Sequence, residues 1–468
     1  MVFSAAGIVN GSMTKKLVQL SDATSTAETN WERSSGRRVC LVALYPERDD
    51  AMPQQLSNHG MRMIQASLVS AEISSLELLV LDLHDADVET TATAIVDFGA
   101  DIVGFSTFIW SFEFSLAVAT LVRQRNPDCL IVFGGPSARP SMFDLRRYRE
   151  CHPLVDVLVI NEGEETFVEI VSSPNRDRES LIKLRGVSLF CDGQWTTHVA
   201  RPLGDLNLLP SPYEMGLVPA GGLAMLQTYR GCPFTCSFCE WGVLESPKRV
   251  RTAESLIREF EAMKALKKTG ALIVDAGLNL NENAFRNLET AVDVSGFFQN
   301  RQLICEVYPA RLKPPHFQFL ESIGSPYVGM GLQSFDNDVL AHVERSYDET
   351  RFEDNLYKLT DNNSVALEII LGLPGDSPEQ FRRSFERARR YPCALRVYHC
   401  VVLPSALMVR APAEYNMNFD EKTLKMLSCL GWTPEAILRE AEYITLRANT
   451  EGGQVGEYFW VFPPPVPR

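Results

Sequence analysis

The residues with the clearest chemistry in this sequence are three cysteines on one short segment, TYRGCPFTCSFCEWG, at residues 228–242. Cys232, Cys236 and Cys239 follow one another in a C-x3-C-x2-C spacing. Thiolates this close together can bind three irons of a cubane 4Fe-4S cluster, and the fourth iron is then left without a protein ligand. The spacing therefore predicts a cluster with one iron open to a small molecule.

Two simpler interpretations compete with the cluster, namely three buried free cysteines and a zinc site. Structural zinc usually takes four ligands, often from two paired groups of Cys and His residues. The nearest further ligands, Cys393, His399 and Cys400, lie on or beside a predicted strand and not in a second loop of matching spacing. We therefore prefer the iron–sulfur cluster.

The composition is that of a folded protein with two or three compact domains. The chain has 468 residues, of which 45% are hydrophobic and 22% are charged. Its apolar runs are shorter than the roughly 20 residues that cross a bilayer, so we expect no membrane helix. Residues 1–37 are polar and lack the basic start and apolar core of a secretory signal, and we interpret them as a polar leader.

Charge and cysteine content indicate the compartment and the partners. Eleven cysteines, most of them isolated, are typical of a reducing compartment, so we expect a cytoplasmic location. A net charge of -14 disfavours nucleic acid as the main partner, because phosphate binding needs a cationic surface. An acidic surface is compatible with a small cationic substrate.

The first part of the chain alternates apolar runs with amphipathic segments. The runs lie at residues 39–46, 76–83, 101–108, 129–136 and 156–163. Runs of this kind predict parallel strands that are buried on both faces. We expect an α/β fold in which residues 38–200 form a doubly wound parallel sheet, Rossmann-like or flavodoxin-like, with a hairpin at residues 191–193. Its ligands would lie beyond the carboxyl ends of the strands.

A second set of strands follows a proline-containing linker at residues 201–220. The predicted strands lie at residues 224–228, 271–275, 303–307, 327–330, 366–371 and 396–402. Six strand–helix units that begin at the cysteine segment predict a partial (β/α)6 barrel over residues 221–405, with its chemistry at the carboxyl ends of the strands. Residues 406–468 are expected to form a short helical C-terminal region and tail.

The cysteine segment, with Phe238 before its last cysteine, resembles the defining motif of the radical S-adenosylmethionine (SAM) superfamily. The resemblance extends from Leu226 to about Leu403. It implies that Cys232, Cys236 and Cys239 hold a 4Fe-4S cluster, which cleaves SAM reductively to a 5'-deoxyadenosyl radical. It also implies that Phe238 lies beside the adenine of SAM.

Further segments match the order of SAM contacts in this superfamily. The match at DAGLNLN is loose, because the usual Gly-Gly-Glu pattern is absent. The cofactor-binding residues that the resemblance implies, besides Phe238, are Asp275 in DAGLNLN, Glu306 and Arg311 in ICEVYPAR, Gln333 and Ser334 in GLQS, Gly372 in EIILGLPGD and Leu403 in VVLPSA.

The N-terminal domain is similar to the cobalamin-binding domain that precedes the barrel in one radical SAM group. The similarity rests on the segments GFSTFIWS, FGGPSA and NEGEETF. Either methylcobalamin supplies a methyl group to a substrate radical, or the domain is a scaffold without cobalamin. The Asp-x-His-x-x-Gly signature of base-off cobalamin binding is absent, but many cobalamin-dependent members lack it too. We favour the cobalamin-free alternative.

As a whole, the chain resembles radical SAM 1,2-diol dehydratases of apramycin-type aminoglycoside biosynthesis. This resemblance implies a small cationic sugar substrate and conversion of paromamine to a 4'-keto-3'-deoxy product. It also implies an external one-electron donor and a separate NAD(P)H-dependent reductase. The alternative is a cobalamin-dependent radical SAM methyltransferase that acts on a small natural-product intermediate.

Several titratable side chains at predicted strand ends are candidates for acid–base catalysis. We expect the catalytic groups to be Glu306, Tyr308, His399 and Glu240, with Asp275 and Tyr398 as further candidates. Each of them is alternatively a hydrogen-bonded residue of the barrel rim. A non-enzymatic iron–sulfur protein, the third hypothesis, would have the cysteines without a SAM pocket.

Overall fold

The computed structural model describes residues 37–45, 56–202, 204–243, 249–324, 326–345 and 348–465. The predicted polar leader lies outside these residues except for its last position. The described chain forms two large sheets, each flanked by helices. Among the described residues, no helix combines the length and the hydropathy needed to span a bilayer.

A seven-stranded sheet occupies the N-terminal part of the chain. Its strands are β1 (Arg38–Tyr45), β2 (Glu77–His84), β3 (Ile102–Ser106), β4 (Leu130–Gly134), β5 (Val157–Val159), β6 (Val187–Cys191) and β7 (Gln194–Thr197). Their spatial order is β2-β1-β3-β4-β5-β6-β7, and β1 to β5 run parallel. The order of the first five strands is that of flavodoxin-like sheets. The predicted doubly wound sheet is therefore confirmed.

Helices connect these strands and bury the sheet on both faces. They are α1 (His59–Ser70), α2 (Val88–Phe98), α3 (Phe112–Arg125), α4 (Pro140–Phe143), α5 (Glu164–Ser172) and α6 (Arg178–Leu181). The first two begin at N-cap side chains, since Asn58 accepts a hydrogen bond from the Met61 amide and Asp87 accepts one from the Thr90 amide. Separate apolar clusters fill the two sides of the sheet.

The predicted hairpin forms the edge of this sheet. Strands β6 and β7 pair antiparallel through a tight turn at Asp192 and Gly193. Both turn residues have positive φ, 51° and 81°, which is the conformation that two-residue hairpin turns require. The hairpin is confirmed.

The second sheet forms the partial barrel. Its parallel strands are β8 (Leu223–Leu226), β11 (Gly270–Ile273), β12 (Gln302–Val307), β13 (Pro326–Gln333), β14 (Ser364–Leu371) and β15 (Ala394–His399). They lie side by side in chain order, with a small β9–β10 ribbon (Tyr229–Arg230 and Arg249–Val250) after the first one. The six predicted parallel strands are therefore present.

The barrel helices follow the strands and enclose the larger apolar core. They are α7 (Ala253–Ala265), α8 (Glu282–Ser295), α9 (Pro314–Ser322), α10 (Asn337–His342), α11 (Glu349–Thr360) and α12 (Pro378–Ala388). Their alternation with the strands is that of a parallel α/β sheet, in which the crossovers are as a rule right-handed.

The C-terminal region is mixed and not simply helical as expected. It contains helices α13 (Leu407–Arg410) and α14 (Pro434–Thr450) and the strands β16 (Asn418–Phe419), β17 (Met426–Ser428), β18 (Gln454–Val455) and β19 (Phe459–Phe462). Strand β19 pairs antiparallel with β15. Its aromatic residues are buried in that position, and the pairing covers an otherwise open sheet edge.

The two halves of the chain meet through polar contacts at the carboxyl ends of their strands. Arg230 forms an ion pair with Glu162 at 3.3 Å and a second one with Glu164. The Ser141 hydroxyl donates a hydrogen bond to the Pro404 carbonyl at 3.0 Å. These contacts hold the open end of the barrel against the ligand-binding edge of the N-terminal sheet.

Candidate active site between the two sheets

A cavity of about 630 Å³ lies where the two sheets face each other. Its N-terminal wall includes Ser106 and residues 134–137 and 161–164, which follow the strands β3, β4 and β5. Its opposite wall includes residues 238–241 at the end of the cysteine segment and several side chains of the barrel. The ligand-binding edges of both sheets therefore open into the same space.

The three cysteines lie close together at the barrel side of this cavity. Cys236 is buried, whereas Cys232 and Cys239 are partly exposed, and Cys239 lines the cavity. Burial raises the pKa of Cys232 to about 11, while the nearby Arg345 guanidinium acts in the opposite direction. Among the described residues, no three His, Cys, Asp or Glu side chains form a converged metal site. Three neighbouring thiols with a cation beside them are suitable ligands for a 4Fe-4S cluster in which one iron has no protein ligand.

Arg410 from helix α13 holds the backbone of the cysteine segment. Its guanidinium donates hydrogen bonds to the carbonyls of Thr235 at 3.3 Å, Cys236 at 3.1 Å and Ser237 at 3.4 Å, and also to that of Cys239. One side chain thus fixes the curvature of the loop that carries two of the cysteines. Sequence reasoning missed Arg410, because it lies far downstream in a segment without a recognisable motif.

A stack of aromatic and cationic side chains supports the same loop. The rings of Phe234 and Tyr308 stack at 4.6 Å, with Arg311 over Phe234 at 4.7 Å and Arg345 over Tyr308 at 4.9 Å. Arg345 also reaches the sulfur of Cys236 at 3.9 Å. Tyr308 and Arg311 therefore lie beside the cysteine loop and outside the cavity lining. Their expected roles in catalysis and SAM binding stay predictions.

Asp275 fixes the strand end that leads into the cysteine segment. Its carboxylate accepts hydrogen bonds from the amides of Thr228 at 2.8 Å and Tyr229 at 3.3 Å, and from the Thr228 hydroxyl. Burial raises its pKa to about 7 in spite of these bonds. The carboxylate that the sequence assigns to SAM binding is thus already engaged with the protein backbone.

Glu240 connects the cysteine segment to the loop after β15. Its carboxylate accepts a hydrogen bond from the Ser405 amide at 2.9 Å, and it lines the cavity. Burial raises the pKa of Glu240, while Arg139 of the N-terminal half opposes that shift. Arg139 in turn donates to the Ser405 hydroxyl at 3.0 Å. Glu240 is therefore placed where both sheets and the cysteine segment meet.

Gln333 and Ser334, which were both expected to bind the cofactor, have different surroundings. Gln333 lines the cavity, has a positive φ of 77° and follows a register shift in β13. Within the described part of the chain, its buried side-chain oxygen has no hydrogen-bond partner. Ser334 instead packs towards helix α12, with its hydroxyl 3.4 Å from that of Ser384. The strained backbone and the unsatisfied oxygen favour Gln333 as a ligand contact.

Four other residues that the sequence predicts as site residues also differ in whether they line the cavity. Phe238, His399 and Leu403 line the cavity, whereas Gly372 does not. Burial lowers the pKa of His399 to about 4, so its imidazole is neutral at neutral pH. Gly372 has a φ of 86°, and its carbonyl accepts a hydrogen bond from the Cys429 thiol at 3.6 Å.

Glu306 belongs to a polar cluster inside the barrel. Its carboxylate lies against Gly329 of the neighbouring strand and is close to Glu368. Glu368 and Tyr398 line the cavity, and Arg396 lies behind them. Sequence reasoning missed Glu368 and Arg396, although charged residues within otherwise apolar strands could have identified them.

The N-terminal wall has features that fit a bound cofactor. Ser137 is fully buried, and among the described residues its hydroxyl has no hydrogen-bond partner. Gly135 has a φ of 93°, and a Cβ atom there would come within 2.6 Å of the Thr107 carbonyl oxygen. Gly135 is therefore required by the close approach of the Thr107 backbone, whereas the unpartnered hydroxyl of Ser137 fits a hydrogen bond to a bound cofactor such as cobalamin.

Two curated relatives align with most of this chain. One is the 2-(S-pantetheinyl)-carbapenam-3-carboxylate methyltransferase of Streptantibioticus cattleyicolor, 29% identical over 68% of this chain and 49% of that protein. The other is the cobalamin-dependent radical SAM methyltransferase TokK of Streptomyces tokunonensis, 30% identical over 69% of this chain and 49% of that protein. The chain thus spans about half the length of the curated relatives it matches.

A solved structure shares the fold. The radical SAM methyltransferase TsrM from Kitasatospora setae, with tryptophan and a SAM analogue bound, superposes with a TM-score of 0.66 over 88% of both chains at 16% identity. Another structure of TsrM contains cobalamin and a [4Fe-4S] cluster.

Two protein-family models match this chain, and each of them covers one of the two sheets. Residues 51–171 match the B12 binding domain, and they include the glycine turn and Ser137. Residues 226–388 match the radical SAM superfamily, and they include Cys232, Cys236 and Cys239. The chain therefore combines an N-terminal B12-binding domain with a radical SAM domain.

Proposed function

We propose that this protein is a cobalamin-dependent radical SAM methyltransferase that acts on a small natural-product intermediate. The observation that carries this proposal is the shared cavity, into which both the B12-binding sheet and the cysteine segment open. A methyl donor on one wall would face a substrate activated at the other wall. The methyltransferase names of the two curated relatives support the same reaction class.

Methyl transfer replaces the cobalamin-free dehydration that we favoured from the sequence. The B12-binding match covers the strand ends that line the cavity. The unpartnered hydroxyl of Ser137 also favours a cofactor there over an empty scaffold. Within this proposal an external one-electron donor is still needed, whereas the separate NAD(P)H-dependent reductase belongs to the dehydration alternative.

The residues of the chain would hold and orient the reactants. When bound, the cluster and SAM would supply radical initiation, and cobalamin would supply the methyl group. Arg410 and Asp275 keep the cysteine segment in place through its backbone. Phe238 offers an apolar surface and Gln333 a free hydrogen-bond acceptor to a ligand in the cavity.

Binding of the methyl acceptor would fall to groups on the barrel wall. The Tyr398 hydroxyl donates to the Glu368 carboxylate at 3.2 Å, and both side chains line the cavity. The neutral imidazole of His399 lies beside them and can accept a hydrogen bond from a substrate hydroxyl or amine. These groups can hold a small polar acceptor in place through hydrogen bonds.

Anaerobic reconstitution with iron, sulfide and hydroxocobalamin tests the proposal. We expect stoichiometric retention of cobalamin in the ultraviolet–visible spectrum after gel filtration. With trideuteriomethyl-labelled SAM, a reductant and paromamine as the first acceptor, we expect a labelled methylated product together with S-adenosylhomocysteine and 5'-deoxyadenosine by mass spectrometry. A deoxygenated keto sugar with 5'-deoxyadenosine and no retained cobalamin would support dehydration instead.

A further inference from the structure

Most of the carboxylate and guanidinium groups that line the cavity have an ion-pair partner. The lining residues with such a partner are Glu162, Glu164, Arg230 and Glu368. Arg139 and Glu240 line the same cavity, and among the described residues no ion pair reaches either of them. Burial lowers the pKa of the Arg139 guanidinium and raises the pKa of the Glu240 carboxyl, because it disfavours both charges. Two opposite charges at this wall thus lack a direct counter-ion.

Ser405 holds these two charges beside each other. Its backbone amide donates a hydrogen bond to the Glu240 carboxylate at 2.9 Å, and its hydroxyl accepts one from Nε of Arg139 at 3.0 Å. Both charged groups therefore contact the same residue, although they form no direct ion pair with each other. Ser405 also lines the cavity. A ligand at this point of the wall meets a cation and an anion side by side.

Both charged groups are fixed by the protein and keep capacity for a ligand. Nη1 of Arg139 donates hydrogen bonds to the carbonyls of Gly135 at 3.1 Å and Ala138 at 3.0 Å. Within the described part of the chain, Nη2 of Arg139 donates no hydrogen bond and the second carboxylate oxygen of Glu240 accepts none. A ligand can bind these atoms without breaking a contact of the protein, which lowers the cost of binding.

Apolar side chains lie on the same side of the cavity as Glu240. Trp241 follows Glu240 in the chain, Phe238 precedes it by two positions, and Leu403 lies two positions before Ser405; all three side chains line the cavity. This surface suits the apolar body of a small molecule whose charged groups reach the wall. Because Arg139 and Glu240 belong to different domains, such a molecule would contact both.

The pair of charges narrows the class of ligand. A ligand with only an ammonium group leaves the Arg139 guanidinium without a counter-ion, and a ligand with only a carboxylate leaves Glu240 without one. A zwitterion supplies a partner to both charges at once.

We propose that Arg139 and Glu240 form a subsite for a zwitterionic methyl acceptor of the amino-acid class, with its carboxylate on Arg139 and its ammonium group on Glu240. This inference rests on the proposed function, because it names the substrate class for the cavity that the two domains share. Paromamine, which has ammonium groups and no carboxylate, would use only the Glu240 half of the subsite.

Isothermal titration calorimetry on the cluster-reconstituted protein, without SAM, cobalamin or reductant, tests the inference. The probes are L-phenylalanine, phenethylamine, which lacks the carboxylate, and 3-phenylpropanoate, which lacks the ammonium group. We expect L-phenylalanine to bind at least about 10-fold more tightly than either analogue, because each analogue loses one charge-assisted interaction.

Two variants separate the subsite from a merely structural effect, since they should act on opposite analogues. Glu240→Gln keeps an acceptor for the Ser405 amide, and it should weaken L-phenylalanine and phenethylamine about 10-fold without weakening 3-phenylpropanoate. Arg139→Gln should weaken L-phenylalanine and 3-phenylpropanoate without weakening phenethylamine. The exposed variants Arg146→Gln and Glu282→Gln should behave as the wild type.

Several outcomes would overturn the inference. They are no saturable binding of L-phenylalanine, equal affinity for the three probes, or an equal loss of both analogues in either variant. A loss of SAM affinity in Glu240→Gln would also overturn it, because the subsite would then belong to the amino-acid part of SAM. Failure of methyl transfer or of cobalamin retention would instead contradict the proposed function, since neither quantity enters this measurement.

Discussion

The guanidinium of Arg410 donates a hydrogen bond to the carbonyl oxygen of Cys236 at 3.1 Å. Arg410 and Cys236 are far apart in the chain. The same guanidinium also donates hydrogen bonds to the carbonyls of Thr235, Ser237 and Cys239. The geometry of the cysteine segment therefore depends on the C-terminal region as well as on the barrel.

Replacing Arg410 by Gln should reduce the retention of the cluster. Several hydrogen bonds from a charged donor are lost, and we expect about 2–4 kcal/mol less stability for the folded loop. Iron and sulfide content after reconstitution, together with thermal unfolding, measures the effect. Arg439→Gln is the matched control, because Arg439 is 61% exposed and lies on helix α14. Normal iron content in Arg410→Gln would contradict the positioning role.

Replacing any one of Cys232, Cys236 or Cys239 by Ala should abolish reductive cleavage of SAM. Two remaining thiolates cannot hold the three irons that the open-iron cluster requires. The measurement is the iron content and the amount of SAM-derived product under reducing conditions. Cys191→Ala should retain both, because Cys191 lies on strand β6 outside the cavity. Retained cleavage in a loop variant would show that the cluster lies elsewhere.

Replacing Ser137 by Ala should weaken cobalamin retention without changing the iron content. The lost hydroxyl corresponds to a hydrogen bond of about 0.5–1.5 kcal/mol, which is roughly a 2- to 13-fold change in affinity. Titration with hydroxocobalamin, followed by absorbance, gives the dissociation constant. The exposed Ser172 of helix α5 provides the control substitution Ser172→Ala. Equal affinities for the two variants would argue against a cofactor contact at Ser137.

The stability of the protein should fall between pH 5 and pH 8 in a way that depends on Glu306. Its pKa is raised from 4.5 to about 8 by burial and by Glu368, so the folded state binds a proton that the unfolded state has lost. This contribution is complete below pH 4.5 and is lost as the pH rises through 8, with a slope of at most about 1.4 kcal/mol per pH unit.

Thermal unfolding of wild type and Glu306→Gln across this pH range measures the difference. The variant cannot ionise, so its melting temperature should fall less than that of the wild type. The exposed variant Glu282→Gln should follow the wild-type curve. Parallel curves for wild type and Glu306→Gln would mean that the folded protein does not raise the pKa of Glu306.

Some features of this protein are determined locally and could be predicted from the sequence. The spacing of Cys232, Cys236 and Cys239 is contained in one segment, and each buried strand is an apolar run of its own. The hairpin at Asp192 and Gly193 needs only two residues that tolerate positive φ. Such features require no knowledge of distant parts of the chain.

The C-terminal strands show where local patterns were insufficient. Strand β19 is short, and only its pairing with β15 makes it part of the barrel sheet. The same segment without that partner has no periodicity that distinguishes a strand from a tail.

Which side chains lie at the active site depends on the tertiary structure alone. Arg410 reaches the cysteine segment from a distant helix, and the Glu306 carboxylate lies over Gly329 because of the register of β12 with β13. Ser137 lines the same cavity as the barrel residues because the two domains pack at their strand ends. Parallel register and domain packing join residues that are far apart in sequence, and no local spacing encodes them. The cysteine motif alone thus indicated the initiating chemistry, whereas the tertiary structure determined which side chains face it.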